Sequence, residues 1–454
     1  MKKQFIFLCY FFIAIAITAC SSSSTAKNNF SYPSALALGY LPVSNVRTLY
    51  IANTFTGTIS EINTSTNSVM PVTTSTGTTN AIPLNMYPEA IEYDNGYLYV
   101  AGFTQTSGLL ESLNLSTNQT TSTVYLKGYP YKILLNNSTS TLYVIGIQNN
   151  KTYLESFTAS STITPATAII LSFTPSSITL TPDSSNLLIS YQNQAFISVL
   201  DPVTLAEVNR INTDYPVALM GMVNQYEDTM LYAVVFTTAG YSVESINTSN
   251  GSTGYEFTVP GVPADFAIST QRMLLDDNHF SYLGVIANAN GYVHFINIDY
   301  GCQIPSIPSS HTGVTLTSTI PASNAPSIQA ITTNDCKTQS EAWSITYNSS
   351  TKDYDVTGTA SGPQSEPAKN GAFFKSAHDS VSFYVNPGTS ELNNNDKFTF
   401  GTTAAAGIKI LSGFGLPQHI LVDPLTNQAY VSDILTNSLY VVSLSSQSIT
   451  AIIR

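Results

Sequence analysis

Charge is what this chain has least of. Only 10% of its 454 residues are Asp, Glu, Lys or Arg, against roughly 25% in an average globular protein. Ser, Thr, Asn and Gln must therefore supply much of the polar surface. Basic residues are the scarcer kind: 16 Lys and Arg stand against 28 Asp and Glu, for a formal charge of −12. Nucleic-acid binding needs clustered Lys and Arg to displace counterions, so that partner is excluded. The five histidines, His279, His294, His311, His378 and His419, are scattered with no metal-ligand spacing. No Gly-x-Ser-x-Gly elbow, phosphate-binding loop or haem-attachment Cys pair occurs. These residues give no reason to expect a metal or a cofactor. A sustained helical period is also missing after the first twenty residues, which sets helical fold classes aside.

What is present favours strands. Aromatic residues make up 11% of the chain, with 27 Tyr, and such residues suit a pleated, half-buried surface. The expected fold class is all-β.

The N-terminus reads as a targeting segment. Lys2 and Lys3 form a basic start, Phe5 to Ile17 an apolar core, and Ile17-Thr18-Ala19-Cys20 a cleavage site. That core is short for a bilayer-spanning helix. The last four residues resemble a bacterial lipobox. The resemblance implies that residues 1–19 are a signal peptide, that the Cys20 sulfur is diacylated, and that the new amine is acylated, which makes a stable membrane anchor. Ser21 rather than Asp after Cys20 resembles the outer-membrane-sorted class of Gram-negative bacteria. The expected location is thus the bacterial cell envelope, at the outer membrane. An ordinary signal cut at Ala19, or an uncleaved anchor, is the plainer alternative. Of the four cysteines, Cys9 leaves with the signal and Cys20 carries lipid. Cys302 and Cys336 remain, an even pair in an oxidising compartment, and a disulfide is predicted. A metal site is the rival reading, but no Cys-x-x-Cys or His pair supports it.

After a Ser/Thr/Asn tether ending at residue 32, one unit recurs. Its openings begin at Pro33, Pro88, Pro130, Pro175, Pro216, Pro263 and Pro417, each with a large apolar residue three positions on. Proline suits a strand entry, where no ladder donor is needed. A second strand follows, as in Leu98-Tyr99-Val100-Ala101, and a third, as in Gly57-Thr58-Ile59-Ser60-Glu61-Ile62-Asn63. The second-strand marks Tyr50, Tyr99, Tyr143, Leu188, Tyr232 and Tyr282 lie 44 to 50 residues apart, and Tyr430 follows 148 later. Four-stranded units at this period indicate propeller blades. Leu-Tyr-Val-Ala followed by Gly-x-Ile/Val-x-x-Ile-Asn resembles the YVTN-type β-propeller repeat of bacterial extracytoplasmic proteins. The expectation is a seven-bladed β-propeller over 33–299 and 405–454, closed by packing rather than strand exchange.

The long last gap places an insertion at 300–404, between the third and fourth strands of blade six. Ala342-Trp343-Ser344-Ile345-Thr346-Tyr347 and Tyr354-Asp355-Val356-Thr357-Gly358 read as a hairpin, with further strands at 381–385 and 397–400. A small inserted β subdomain, stapled by the disulfide, is expected. The alternation of strand directions puts the Pro openings at one mouth of the channel and the insertion near the other, with the Pro face turned toward the membrane.

Function in propellers usually sits at a mouth, where equivalent positions converge. Most residues after the opening prolines are small. The exceptions, Glu89, Tyr131, Lys132, Asp265, Gln418 and His419, form a candidate ligand site. Solvated loop ends with weak salt bridges are the plainer reading. Asp276-Asp277-Asn278 suggests a calcium loop, but the remaining ligand positions are not evident and a solvated turn is the plainer reading. The chain reads as a binding or scaffold module that meets the membrane through its lipid and an unidentified protein or polar small ligand at its mouth. The alternative is an extracytoplasmic propeller enzyme, a lactonase-like hydrolase or a cofactor-dependent dehydrogenase, because fold does not decide function. A third reading has the insertion docking a partner by strand addition.

Overall fold

The computed structural model describes residues 29–41, 46–74, 77–225, 228–269, 272–274, 280–299, 302–306, 308–377, 380–406 and 409–454. Cys20 and the expected signal at 1–19, Asp276 to Asn278, His279 and His378 lie outside them. Every regular element among the described residues is a β-strand.

Seven sheets of four or five strands follow one another along the chain, each antiparallel and in simple meander order. The first strand of each begins at Pro33, Tyr87, Tyr129, Pro175, Val217, Pro263 and Pro417. Each first strand packs on the first strand of the next sheet, and that of the last sheet packs on that of the first. The result is a β-propeller arrangement with the first strands innermost.

The second strands explain why Leu-Tyr-Val-Ala reads as an unbroken apolar run. Leu98, Tyr99, Val100 and Ala101 are all fully buried, because a second strand is covered by a neighbouring sheet on both faces. Seven apolar clusters fill the seven gaps between adjacent sheets. Burying one Leu, Ile or Val side chain contributes roughly 1.5–3 kcal/mol, so the core is spread around the ring. The repeated Gly before the third strand also has a cause. Gly57 and Gly291 sit at φ +63 and +85, where a Cβ would be strained.

Two registers differ from the sequence reading. In the fifth sheet Val217, not Pro216, holds the opening position, because Val217 pairs with Val235 as Pro88 pairs with Gly102. In the sixth sheet the equivalent of Tyr99 is Val285, not Tyr282, since Pro263 pairs with Asn288. Single apolar marks tolerate such a slip; ladder hydrogen bonds do not.

The outer strand of the sixth sheet is made of two pieces, Cys302–Gln303 and Ile410–Leu411, both paired with Tyr292–Asn297. The chain leaves at Ile304 and returns at Lys409, whose N–H donates to the Ile304 carbonyl at 2.9 Å. The intervening segment therefore departs from the rim of the ring, halfway along an outer strand, and not from the end of the channel. The first sheet does the same on a smaller scale: its outer pieces Ser68–Val69 and Ile82–Pro83 flank a Val72–Thr79 hairpin. Strands between Ser310 and Thr403 pair only with one another, in two sheets, around a core of Trp343, Tyr354, Phe383 and Phe398. The expected hairpin is present as Glu341–Asn348 with Asp353–Gly358. Cys302 and Cys336 form the predicted disulfide, with Cα atoms 5.8 Å apart, and tie this segment to the sixth sheet.

Candidate functional site

One device shapes the channel mouth, and it recurs in all seven sheets. The first strand carries a bulge directly after its opening residue: the register shifts at Pro33/Ala35, Pro88/Ala90, Pro130/Lys132, Pro175/Ser177, Val217/Leu219, Pro263/Asp265 and Pro417/His419. A bulge leaves one residue outside the ladder and re-aims its side chain. The extra residues are Ser34, Glu89, Tyr131, Ser176, Ala218, Ala264 and Gln418.

Several of these side chains latch one sheet to the next. Ser34 Oγ donates to the Pro88 carbonyl at 3.1 Å, Tyr131 OH to the Pro175 carbonyl at 3.4 Å, and Ser176 Oγ to the Val217 carbonyl at 2.5 Å. The next position forms a second latch. Ser177 Oγ accepts the Met220 N–H at 3.2 Å, and Asp265 Oδ2 accepts the Ile420 N–H at 3.0 Å. The channel-side edge of a first strand has unpaired backbone groups, and these side chains satisfy some of them. Ser176→Ala is expected to cost about 1 kcal/mol of stability, the net worth of one hydrogen bond, read as a lower urea midpoint at unchanged slope. An unchanged midpoint would remove the latch from the account.

The structure divides the six candidates. Lys132, Asp265 and His419 share one register, immediately after the bulge of the third, sixth and seventh sheets. His419 Nδ1 lies 3.6 Å from Asp265 Oδ2, with the two side chains 35% and 29% exposed. Burial pushes the Asp265 carboxyl up, but the hydrogen bond and charge of His419, the Ile420 N–H and the charge of Lys132 outweigh it and hold the group below the ordinary carboxylate range. Burial pulls the Lys132 ammonium down, and the charge of Asp265 opposes this only in part. Lys132 has no ion pair of contact length among the described residues. Its sheet is not a neighbour of the sixth, so it reaches Asp265 across the channel. Tyr131 is turned to the next sheet and serves as a latch. Gln418 is half-buried at its bulge.

Glu89 stands with a residue that sequence reading missed, Glu92. Burial pushes the Glu89 carboxyl up to about 7 and that of Glu92 up to about 8, the latter against the pull of the Leu135 N–H. Both side chains, like Lys132 and Asp265, keep some solvent-accessible area although protein surrounds them closely. That is the situation of groups on the wall of a narrow, wet channel, where screening weakens each shift. Among the described residues no cluster of three or more His, Cys, Asp or Glu could hold a metal ion.

No known protein-family model matches the chain, and no curated protein matches it. Solved structures resemble it weakly. One titled "Crystal Structure of Mitotic Checkpoint Complex" is 10% identical with a TM-score of 0.43, over 61% of this chain and 81% of that one. A crystal structure of a protein from Lactobacillus plantarum is 15% identical with a TM-score of 0.42, over 60% and 83%. Likeness at this level carries no argument, and the fold rests on the sheets described above.

Proposed function

We propose that the chain is a lipid-anchored β-propeller of seven blades in the bacterial cell envelope, with residues 300–404 as a β subdomain inserted in the sixth blade. It acts as a binding or scaffold module, without catalysis of its own, and takes a polar ligand at the Pro-side mouth. The seven inter-sheet clusters support the blade count. The separate core around Trp343 supports the subdomain. The lipobox at Cys20 supports the anchor and the location at the outer membrane.

The observation that carries the binding reading is Lys132, a half-buried ammonium on the channel wall with no contact ion pair among the described residues. A desolvated cation without a partner is costly, and an anionic group on a ligand would supply one. Asp265 and His419 then bound the same mouth with an acceptor and a switchable donor. Calorimetry of the full chain with inorganic phosphate and with citrate tests this. Binding is expected for at least one probe, weakened roughly tenfold or more in Lys132→Met, since a hydrogen bond to a charged group is worth about 1.5–3 kcal/mol. Equal affinities, or no binding by the unaltered chain, would sink the reading.

Glu89 and Glu92 favour the enzymatic alternative, because carboxyls near 7 and 8 suit general acid work at neutral pH. Hydrolysis of a simple lactone by the full chain, abolished by Glu92→Gln, would move the assignment to that class.

A further inference from the structure

The two faces of the ring differ chemically. On the face away from the Pro openings, turns close on themselves with short polar side chains. Asn63, Asn114, Asn136, Asp183 and Asn247 each accept a backbone N–H two residues on, at 2.8–3.1 Å. Among the described residues, Tyr40, Val203 and Leu425 are the exposed large apolar residues on that side.

The Pro face carries an aromatic ring. Phe55, Tyr87, Tyr129, Phe173, Phe236 and Tyr292, one from each of the first six sheets, are 38–53% exposed, and the seventh sheet puts exposed Leu435 there. All lie where a first strand begins or a second strand gives way to a third. Neighbours reinforce them: Phe55 stacks on Tyr32 at 4.7 Å between centroids, and Phe103 meets both Tyr87 at 5.6 Å and Tyr129 at 6.2 Å. Single exposed apolar residues are ordinary, but a set gathered on one face marks an interaction surface.

Both ends of the described chain leave from this face, where the Asn29 side-chain amide donates to the Arg454 carbonyl. Cys20 lies nine positions before Asn29, a reach of about 30 Å at full extension. We infer that the aromatic face docks on the phospholipid surface that holds the anchor, with Phe and Tyr rings at headgroup depth. The inference rests on the lipidated Cys20 of the reading above. Tyr and Trp are enriched at that depth because one end is apolar and the other wet. With a formal charge of −12, attraction to acidic lipids does not drive the contact; burial of apolar surface does. The channel mouth then opens toward the bilayer, and its ligand comes from the membrane side.

The test is bromolipid quenching. The full chain, processed at its N-terminus, is reconstituted in phosphatidylethanolamine/phosphatidylglycerol vesicles with brominated acyl chains. Trp343, the sole native Trp, is buried in the separate core and gives a constant background. Added emission from Phe55→Trp and from Phe236→Trp is expected to be quenched, at low and high salt alike, while that from Thr66→Trp on the other face is not. The mass of the N-terminal peptide reports acylation independently. Unquenched probes on an acylated chain overturn the docking and leave the anchor standing. An unacylated chain whose face probes are still quenched by added vesicles overturns the anchor and keeps the docking. Equal quenching of all three probes overturns the choice of face.

Discussion

Arg47→Ala is expected to lower the unfolding free energy by about 3 kcal/mol, near the low end for breaking a buried pair. Among the described residues the first and seventh sheets share no strand; an apolar cluster and side-chain hydrogen bonds join them. Arg47 Nε donates to Asp423 Oδ2 at 2.8 Å and its Nη2 to Oδ1 at 2.7 Å, a bidentate fork across 376 positions of sequence. The Asp423 side chain is wholly buried and that of Arg47 is 21% exposed. Burial pulls the Arg47 guanidinium down, but Asp423 more than offsets it and the group ends above its ordinary range. Without Arg47, Asp423 keeps, among the described residues, the Leu425 N–H at 3.1 Å and the Thr426 hydroxyl at 2.8 Å. Most of the loss is thus an uncompensated buried charge. Urea unfolding should also show that Arg47→Ala with Asp423→Asn loses less than the two single changes summed. A loss under about 0.5 kcal/mol, typical of surface substitutions, would mean that the pair does not hold the ring shut.

His294→Leu is expected to raise stability at neutral pH and to remove the loss that His294 itself brings on mild acidification. His294 is buried on the third strand of the sixth sheet, opposite Ile286 and Ile410, and neither ring nitrogen has a hydrogen-bond partner among the described residues. Burial lowers its pKa from 6.5 to about 4. A lowered folded-state value means that the neutral imidazole is the folded form. Its contribution is full above 6.5 and fades as pH falls toward 4, a loss on the order of 3 kcal/mol by linkage. Glu61, Glu89 and Glu92 act in the other direction. Burial raises their carboxyls to about 7, about 7 and about 8, so the folded state favours their protonated forms. Their contribution is full below the ordinary carboxyl range and fades as pH rises through 7 to 8. The two windows overlap between about 4.5 and 6.5, where the effects oppose, so the His294 share is read as the difference between the variant and the unaltered chain. If His294→Leu left the pH dependence of stability between 6.5 and 4 unchanged, His294 would have no part in it.

The parts of this fold that were legible in the sequence are those a local pattern dictates. An all-apolar second strand between a Pro entry and a Gly turn is such a pattern, and so is the pair Cys302 and Cys336. The bulge was not legible. An extra residue in the first strand leaves no compositional mark, because Ser, Glu, Tyr, Ala and Gln all occupy it. Yet it re-phases everything after it, which is why Glu92 escaped notice while Glu89, three positions earlier, did not. The grouping of Lys132, Asp265 and His419 followed from counting from each Pro. The latch roles of Tyr131 and Asp265 required the neighbouring sheet's backbone. The aromatic ring was hidden for another reason: its members lie tens of residues apart, and each alone is an ordinary exposed side chain.

The central claim is that the Pro-side mouth is a ligand site built on Lys132, Asp265 and His419. A high-resolution crystal structure of the full chain, purified without added ligand or chelator, tests it most directly. The account predicts density for a polar molecule whose anionic group touches Lys132 Nζ, beside the His419–Asp265 pair. Lys132 folded back into a direct ion pair with Asp265, with only water in the mouth, would contradict it.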